Sequence, residues 1–192
     1  VMECFCRLAE TVGVRAVGWR YDPIFITETY SLDFHLKAFR RMAGRLAGYT
    51  RRCVISFIDL YEKTRRNFPG VRSVTKEERH IIGREFAAAG REYGIRLYTC
   101  CEGDELEVYG IESSGCMTKE LVEEAIGRRL VIPKGMKPAR EGCSCLLGSD
   151  IGVYNSCPHG CLYCYANYDR KTVEANLRLH DPSSPFLIGG MR

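Results

Sequence analysis

Apolar segments that alternate between strand and helix patterns constrain the fold of this chain more than any other feature. Short runs rich in β-branched and aromatic residues lie at 14–19, 51–59 and 95–100. Amphipathic helices are predicted after the first two runs, where Ser31 and Thr75 are candidate N-cap residues and Thr75 begins a capping box. Strands that alternate with such helices predict right-handed crossovers and a parallel sheet with helices packed outside it.

The fold class predicted from this pattern is α/β, with residues 1–131 forming a partial (βα) barrel-like parallel sheet. The strand–helix units are too few to close an eight-stranded barrel, and the first helix, within 3–13, has no strand before it. A last helix of this region is predicted at 118–126. We therefore expect the missing strands upstream of Val1.

From about residue 132 the composition changes and becomes rich in glycine, proline, serine and cysteine. Residues 132–192 are predicted to be an irregular Cys-rich metal-binding segment, with a short helix at 171–179 and a strand at 185–189. Such a segment buries little apolar surface, so a bound metal or docking on the barrel is expected to order it.

The overall composition is that of a globular protein, with 45% hydrophobic and 27% charged residues. No apolar run approaches the about 18 residues that a membrane helix requires. The 28 basic and 24 acidic residues are interspersed, which favours solvated helix faces over a nucleic-acid surface. Eleven cysteines in a chain without a signal peptide favour a reducing cytoplasm.

Three cysteines are crowded into the stretch NSCPHGCLYCYAN, where Cys157, Cys161 and Cys164 have the spacing C-x3-C-x2-C. Thiolates a few residues apart on one loop can bind three irons of a [4Fe-4S] cluster and leave the fourth iron open for a small molecule. The spacing, with Tyr163 before the third cysteine, is similar to the C-x3-C-x-Φ-C signature of radical S-adenosylmethionine enzymes, in which Φ is an aromatic residue near the adenine. The sequence therefore predicts a [4Fe-4S] cluster, with S-adenosylmethionine as a candidate second cofactor.

Two other interpretations of this stretch stay open. A fourth ligand from Cys143 or Cys145 would make the cluster an electron-transfer or structural centre without cleavage of S-adenosylmethionine. A zinc-stapled binding module is the other alternative, although zinc sites usually have paired C-x2-C units and only Cys161 and Cys164 have that spacing here.

Further cysteines predict a second metal site. Cys100 ends the third strand, Cys116 follows it, and Cys143 and Cys145 form the motif CSC. The alternative is that these are thiols that pack as small apolar side chains.

Polar side chains are expected at the carboxyl ends of the strands, the edge where α/β folds bind ligands. Arg20, Tyr21 and Asp22 are placed after the first strand, Asp59 after the second, and Cys100 and Glu102 after the third. Arg20 suits a carboxylate or phosphate, and the three acidic residues suit a ribose or a proton transfer. Arg20, Asp22, Asp59 and Glu102 are thus predicted to contact the cofactor or substrate.

Several stretches together resemble a bacterial family known as domain of unknown function 1848. They are WRYDPIF, CVISFIDLYEKT, LYTCCEG, YGI, CSC, SDIGVYNSCPHGCLYCYAN and HDPSSPFLIG, in this order. The resemblance implies that the cluster ligands of the family fall on Cys157, Cys161 and Cys164, and that an N-terminal part is missing here. It implies no particular reaction.

The predicted function is that of an iron–sulfur protein, a radical S-adenosylmethionine-like enzyme whose small or macromolecular substrate is unknown. The substrate is expected between the cluster and the strand-end residues. An electron donor such as ferredoxin or flavodoxin is the expected protein partner. No membrane partner is expected, and nucleic acid stays open as a partner.

Overall fold

The computed structural model describes residues 1–133, 144–146 and 152–189. The chain divides into two compact units. The first comprises Val1–Ile58 and Arg72–Gly148, and the second comprises Asp59–Val71 and Ser149–Arg192. The boundary at residue 131 stays a prediction.

The helices and strands of the described residues alternate along most of the chain. In order they are α1 (Met2–Val12), β1 (Trp19–Ile24), α2 (Leu32–Leu46), β2 (Arg52–Phe57), α3 (Glu62–Asn67), α4 (Lys76–Tyr93), β3 (Arg96–Thr99), a 3₁₀ helix (Glu107–Tyr109), β4 (Glu112–Ser113), α5 (Lys119–Ile126) and α6 (Arg170–Arg178). The second unit contains α3 and α6, and the other elements belong to the first. None of the helices in the described residues combines the length and apolarity needed to cross a membrane.

The first unit is built on a parallel sheet with the strand order β1-β2-β3-β4. Every neighbouring pair of strands is parallel. The predicted mixed α/β fold with a parallel sheet is therefore confirmed, while its partial barrel-like shape stays a prediction.

One face of the sheet forms the main core. Trp19 lies opposite Cys53, and Cys53 lies opposite Leu97, so these three side chains share a face. Phe39 of α2 and Phe86 of α4 pack in the same core, with their rings stacked and the centroids 3.7 Å apart. The helices thus cover this face of the sheet.

The predicted helix starts are confirmed in detail. Ser31 Oγ accepts a hydrogen bond from the Phe34 N–H at 3.2 Å. Thr75 Oγ1 accepts one from the Glu78 N–H at 3.2 Å, and the Glu78 carboxylate accepts one from the Thr75 N–H at 2.9 Å, which completes the capping box.

The first strand lies later than predicted. Residues 14–16 form a turn after α1, in which the Ala16 N–H donates to the Gly13 carbonyl at 3.1 Å, and β1 begins only at Trp19. Pairing with β2 decides the position, because Trp19, Arg20 and Tyr21 lie in register with its residues. Arg20, Tyr21 and Asp22 are therefore inside the first strand and not after it.

The strand predicted at 185–189 is also wrong. These residues form bends, and the Gly189 N–H donates to the Leu179 carbonyl at 3.3 Å, so the chain folds back on the end of α6. The apolar residues of this stretch have no neighbouring strand with which to pair within the described residues. The helix predicted at 171–179 is confirmed as α6.

Candidate functional site

The cysteine loop, which we define as residues 155–168, belongs to the second unit. It is built of turns and has no helix or strand. Cys161 and Cys164 are joined by a turn in which the Cys164 N–H donates to the Cys161 carbonyl at 3.1 Å. Gly160 has φ +72°, a left-handed conformation that glycine adopts without steric cost and that allows the chain to turn between Cys157 and Cys161.

Asn155 closes the base of the cysteine loop. Its N–H donates to the Ala166 carbonyl at 3.0 Å, and its side-chain oxygen accepts from the Tyr168 N–H at 2.5 Å. Its own carbonyl accepts from the Asn176 side chain of α6 at 3.1 Å. Asn155 is buried and has φ +58°, a conformation that asparagine tolerates better than most residues. One residue therefore joins both ends of the loop to α6.

A second asparagine fixes the first cysteine. Asn167 Nδ2 donates to the Cys157 carbonyl at 2.6 Å, which ties the two sides of the loop together. Cys157 is exposed, whereas Cys161 and Cys164 are half-buried. All three thiols can thus be reached from solvent.

The three cysteines line one cavity of about 740 Å³. Its wall also contains Lys63 and Asn67 of α3, His159 of the cysteine loop, and residues of α6, namely Arg170, Val173, Glu174 and Leu177. Within the described residues, no three His, Cys, Asp or Glu side chains already converge at the distances that bind a metal ion. The thiols therefore share a cavity without forming a preassembled metal site.

Lys63 contributes an unusual positive charge to this cavity. Its ammonium nitrogen is buried and has no hydrogen-bond partner in the part of the chain that the structure describes. It lies 5.5 Å from the centroid of the Tyr168 ring, a cation–π contact that compensates part of the lost hydration. By contrast, Arg170 in the same wall is paired with Glu174 at 2.9 Å. Lys63 is thus available to an anionic ligand.

Tyr163, the predicted adenine-packing residue, is half-buried in the same loop. It lies between Cys161 and Cys164 and is not among the residues that line the cavity. Its contact with adenine stays a prediction.

Arg20 and Asp22 lie on the face of the sheet opposite the main core. The register places Arg20 beside Val54 and Val54 beside Tyr98, so these residues share that second face. Arg20 forms an ion pair with Asp22, and Ser56 Oγ donates to Asp22 at 3.3 Å. Although burial acts to lower it, the hydrogen bond and charge of Asp22 raise the pKa of the Arg20 guanidinium above its ordinary value. A charged pair therefore lies on the sheet face that α2 and α4 do not cover.

Glu102 and Asp59 each make local structural contacts. The Glu102 carboxylate accepts from the Phe57 N–H at 2.8 Å and from Arg79 at 3.2 Å, so it holds the end of β2. Asp59 belongs to the second unit, where it accepts a hydrogen bond from the Tyr61 hydroxyl at 3.3 Å. Contact of these carboxylates with a cofactor stays a prediction.

The second group of cysteines is brought together in part. Cys116 Sγ and Cys145 Sγ are 3.5 Å apart, and Cys116 packs against a small buried cluster that contains Cys100. Cys143 lies outside the described residues. The second metal site stays a prediction.

Sequence reasoning missed Lys63 and Asn155. Lys63 is close to the cysteines only in the folded chain, so no local pattern could identify it. Asn155 did carry a signal, because asparagine just before a turn-rich cysteine loop is a frequent residue at positive φ.

Comparison with known protein families gives one match. The family model described as domain of unknown function (DUF1848) matches residues 1–166, which include all three cysteines of the loop. No curated protein and no solved structure matches the chain. Because the family model covers most of the sequence and ends just after Cys164, the chain belongs to the DUF1848 family.

Proposed function

We propose that this chain is an iron–sulfur protein in which Cys157, Cys161 and Cys164 bind a [4Fe-4S] cluster, and that it is a radical S-adenosylmethionine-like enzyme. The observation that carries the proposal is the C-x3-C-x2-C triad with all three thiols on the wall of one cavity. When bound, such a cluster supplies the electron for the reductive cleavage of S-adenosylmethionine.

The donor set of the cavity fits this group. Within the described residues, the three cysteines of the triad are the only thiols that line the cavity, which favours a cluster with one iron left open. His159 also lines it, and a nitrogen donor beside three thiolates is the arrangement that a closed zinc site would use. Experiment must therefore distinguish a cluster bound by the three cysteines from a zinc ion bound by the same cysteines and His159.

The charge of the cavity supports an anionic occupant. Three thiolates around a [4Fe-4S] core give a negatively charged group, and a buried ammonium without a hydrogen bond is costly unless an anion pairs with it. Lys63 supplies such an ammonium in the same cavity wall. A cluster bound by the triad would give the Lys63 ammonium an anionic partner, which it does not have within the described residues.

The loop residues fix the backbone that carries the three ligands. Asn155 joins both ends of the loop, and Asn167 holds the carbonyl of Cys157. Because the thiols do not yet converge, we expect their side chains to rotate and the loop to become more rigid when the cluster binds.

The first unit supports a barrel-like enzyme scaffold. Parallel strands with α2 and α4 on one face leave the charged pair Arg20–Asp22 on the other, and in a (βα) barrel the face without helices lines the interior. We infer a partial barrel and a cytoplasmic setting. Ferredoxin or flavodoxin would supply the electron.

An anaerobic assay tests the function. The chain is reconstituted with iron and sulfide, reduced, and mixed with S-adenosylmethionine, and 5′-deoxyadenosine is measured together with the electron paramagnetic resonance spectrum. We expect product formation and a changed spectrum, and both should be lost in Cys161→Ala but kept in Cys4→Ala, which alters an exposed cysteine of α1.

The alternatives give different results in the same assay. A cluster that neither cleaves the cofactor nor changes its spectrum would replace the enzyme proposal with an electron-transfer or structural centre. Tight binding of zinc with no uptake of iron would indicate a zinc-stapled module.

A further inference from the structure

A second pair of thiols lies in the first unit, apart from the cysteine loop. Cys116 Sγ and Cys145 Sγ are 3.5 Å apart, although 29 positions separate them in the sequence. Two backbone segments hold them together, because the Leu146 N–H donates to the Met117 carbonyl at 2.6 Å and the Met117 N–H points at Cys145 Sγ at 3.4 Å. The pair is thus part of a hydrogen-bonded contact between 115–117 and 144–146.

Gly115 makes this close contact sterically feasible. A Cβ atom at this position would lie 2.8 Å from the Cys145 nitrogen and 3.0 Å from Cys145 Sγ. Such distances are shorter than normal contacts, so any larger residue would push Cys145 away from Cys116. The approach of the two thiols therefore depends on a specific glycine.

The surroundings leave both thiols accessible. Cys116 and Cys145 are half-buried, so a small reagent can reach them. Cys116 packs beside Val54 and Tyr98, and the Arg20 guanidinium interacts electrostatically with Cys116. Access matters because thiol–disulfide exchange requires the attacking sulfur to reach the disulfide directly.

We propose that Cys116 and Cys145 form a dithiol that is reversibly oxidised to a disulfide by thiol–disulfide exchange with a low-molecular-weight disulfide. The thiolate of one cysteine attacks the small disulfide and releases one equivalent of small thiol, which leaves a mixed disulfide. The second cysteine then attacks the protein sulfur and releases the second equivalent. The two protein thiols lose two electrons and two protons, and the small disulfide is reduced to two thiols.

The test treats the reduced chain, without iron, with oxidised glutathione and maps the products by mass spectrometry. The expected intramolecular disulfide lowers the mass by about 2 Da, the two hydrogens lost, and is reversed by a thiol reductant. Trypsin leaves Cys100, Cys101 and Cys116 on one peptide and Cys143, Cys145, Cys157, Cys161 and Cys164 on another, so fragment ions must locate the bond.

Serine variants identify which cysteines form the bond. A variant that keeps both thiols shows whether a loss of the bond comes from misfolding. Cys116→Ser and Cys145→Ser should each lose the linked peptide and accumulate a mixed disulfide on the remaining cysteine, whereas Cys4→Ser should behave as the unaltered chain. Gly115→Ala keeps both thiols, and it should slow closure of the disulfide several-fold while the mixed disulfide still forms.

Two results would overturn the proposal. One is a stable mixed disulfide on Cys116 or Cys145 of the unaltered chain that never closes. The other is a bond from either residue to a different cysteine, such as Cys100. Neither result depends on the cysteine loop, so the dithiol and the iron–sulfur proposal succeed or fail separately.

Discussion

Replacement of Asn155 by alanine should loosen the cysteine loop by an amount that the structure allows us to estimate. The variant leaves the Tyr168 N–H without its acceptor, which costs about 1–3 kcal/mol. It also places a side chain that cannot bond locally at φ +58°, which costs about 1–2 kcal/mol. Local stability should therefore fall by about 2–5 kcal/mol.

Two companion variants separate these contributions. Asn155→Asp keeps the oxygen acceptor and should stay close to the unaltered chain. Asn155→Gly keeps the backbone conformation and should lose only the hydrogen-bond part. The expected order of loop stability is therefore aspartate, then glycine, then alanine.

Hydrogen exchange of the residue 155 amide, whose 3.0 Å bond to the Ala166 carbonyl does not involve the side chain, measures loop stability in all variants of the protein without iron. Fluorescence of Trp19, the sole tryptophan of the chain, reports separately on the first unit. Equal exchange in the alanine and aspartate variants would refute the role assigned to the side-chain oxygen. Equal exchange in the alanine and glycine variants would refute the role assigned to positive φ.

Three further predictions concern other parts of the chain. Phe39→Ala removes a fully buried ring stacked between Trp19 and Phe86, so it should cost about 3–5 kcal/mol in urea unfolding followed by Trp19 fluorescence; a loss below 1 kcal/mol would contradict this packing. Hydrogen bonds from Arg72 hold the pKa of Glu78 below its usual range, so the stabilisation by Glu78 is present above the pKa of the unfolded chain and is lost as the pH falls through the folded pKa. In Glu78→Gln, the free energy of unfolding measured with urea should therefore fall less steeply with acid. An unchanged dependence on pH would contradict this role. Lys63→Met removes a positive charge, so it should make the midpoint potential of the reconstituted cluster more negative by on the order of tens of millivolts, whereas Lys63→Arg keeps the charge and should not. Equal potentials in the methionine variant and the unaltered chain would place Lys63 away from the cluster.

Local chemistry explains which parts of the fold could be predicted. Ser31 and Thr75 begin their helices as predicted, because a cap depends on residues within one turn. The order of strands and helices could also be predicted, because the apolar pattern of each element depends on residues that are close in the sequence.

Long-range pairing explains where the prediction failed. The first strand lies at Trp19–Ile24 because that is where the chain pairs with β2, and residues 185–189 form no strand because an apolar run becomes one only beside a partner. The spacing of Cys157, Cys161 and Cys164 is local and was visible, whereas the position of Lys63 beside them is set by the tertiary fold. The triad could thus be recognised from the sequence, and its electrostatic surroundings could not.

Iron and acid-labile sulfide per chain, measured after anaerobic reconstitution, test most directly whether the triad binds a [4Fe-4S] cluster. We predict about four of each per chain, a brown protein, and loss of both in variants that replace Cys157, Cys161 or Cys164 by alanine. A colourless unaltered chain, or an iron content that survives these replacements, would contradict the account.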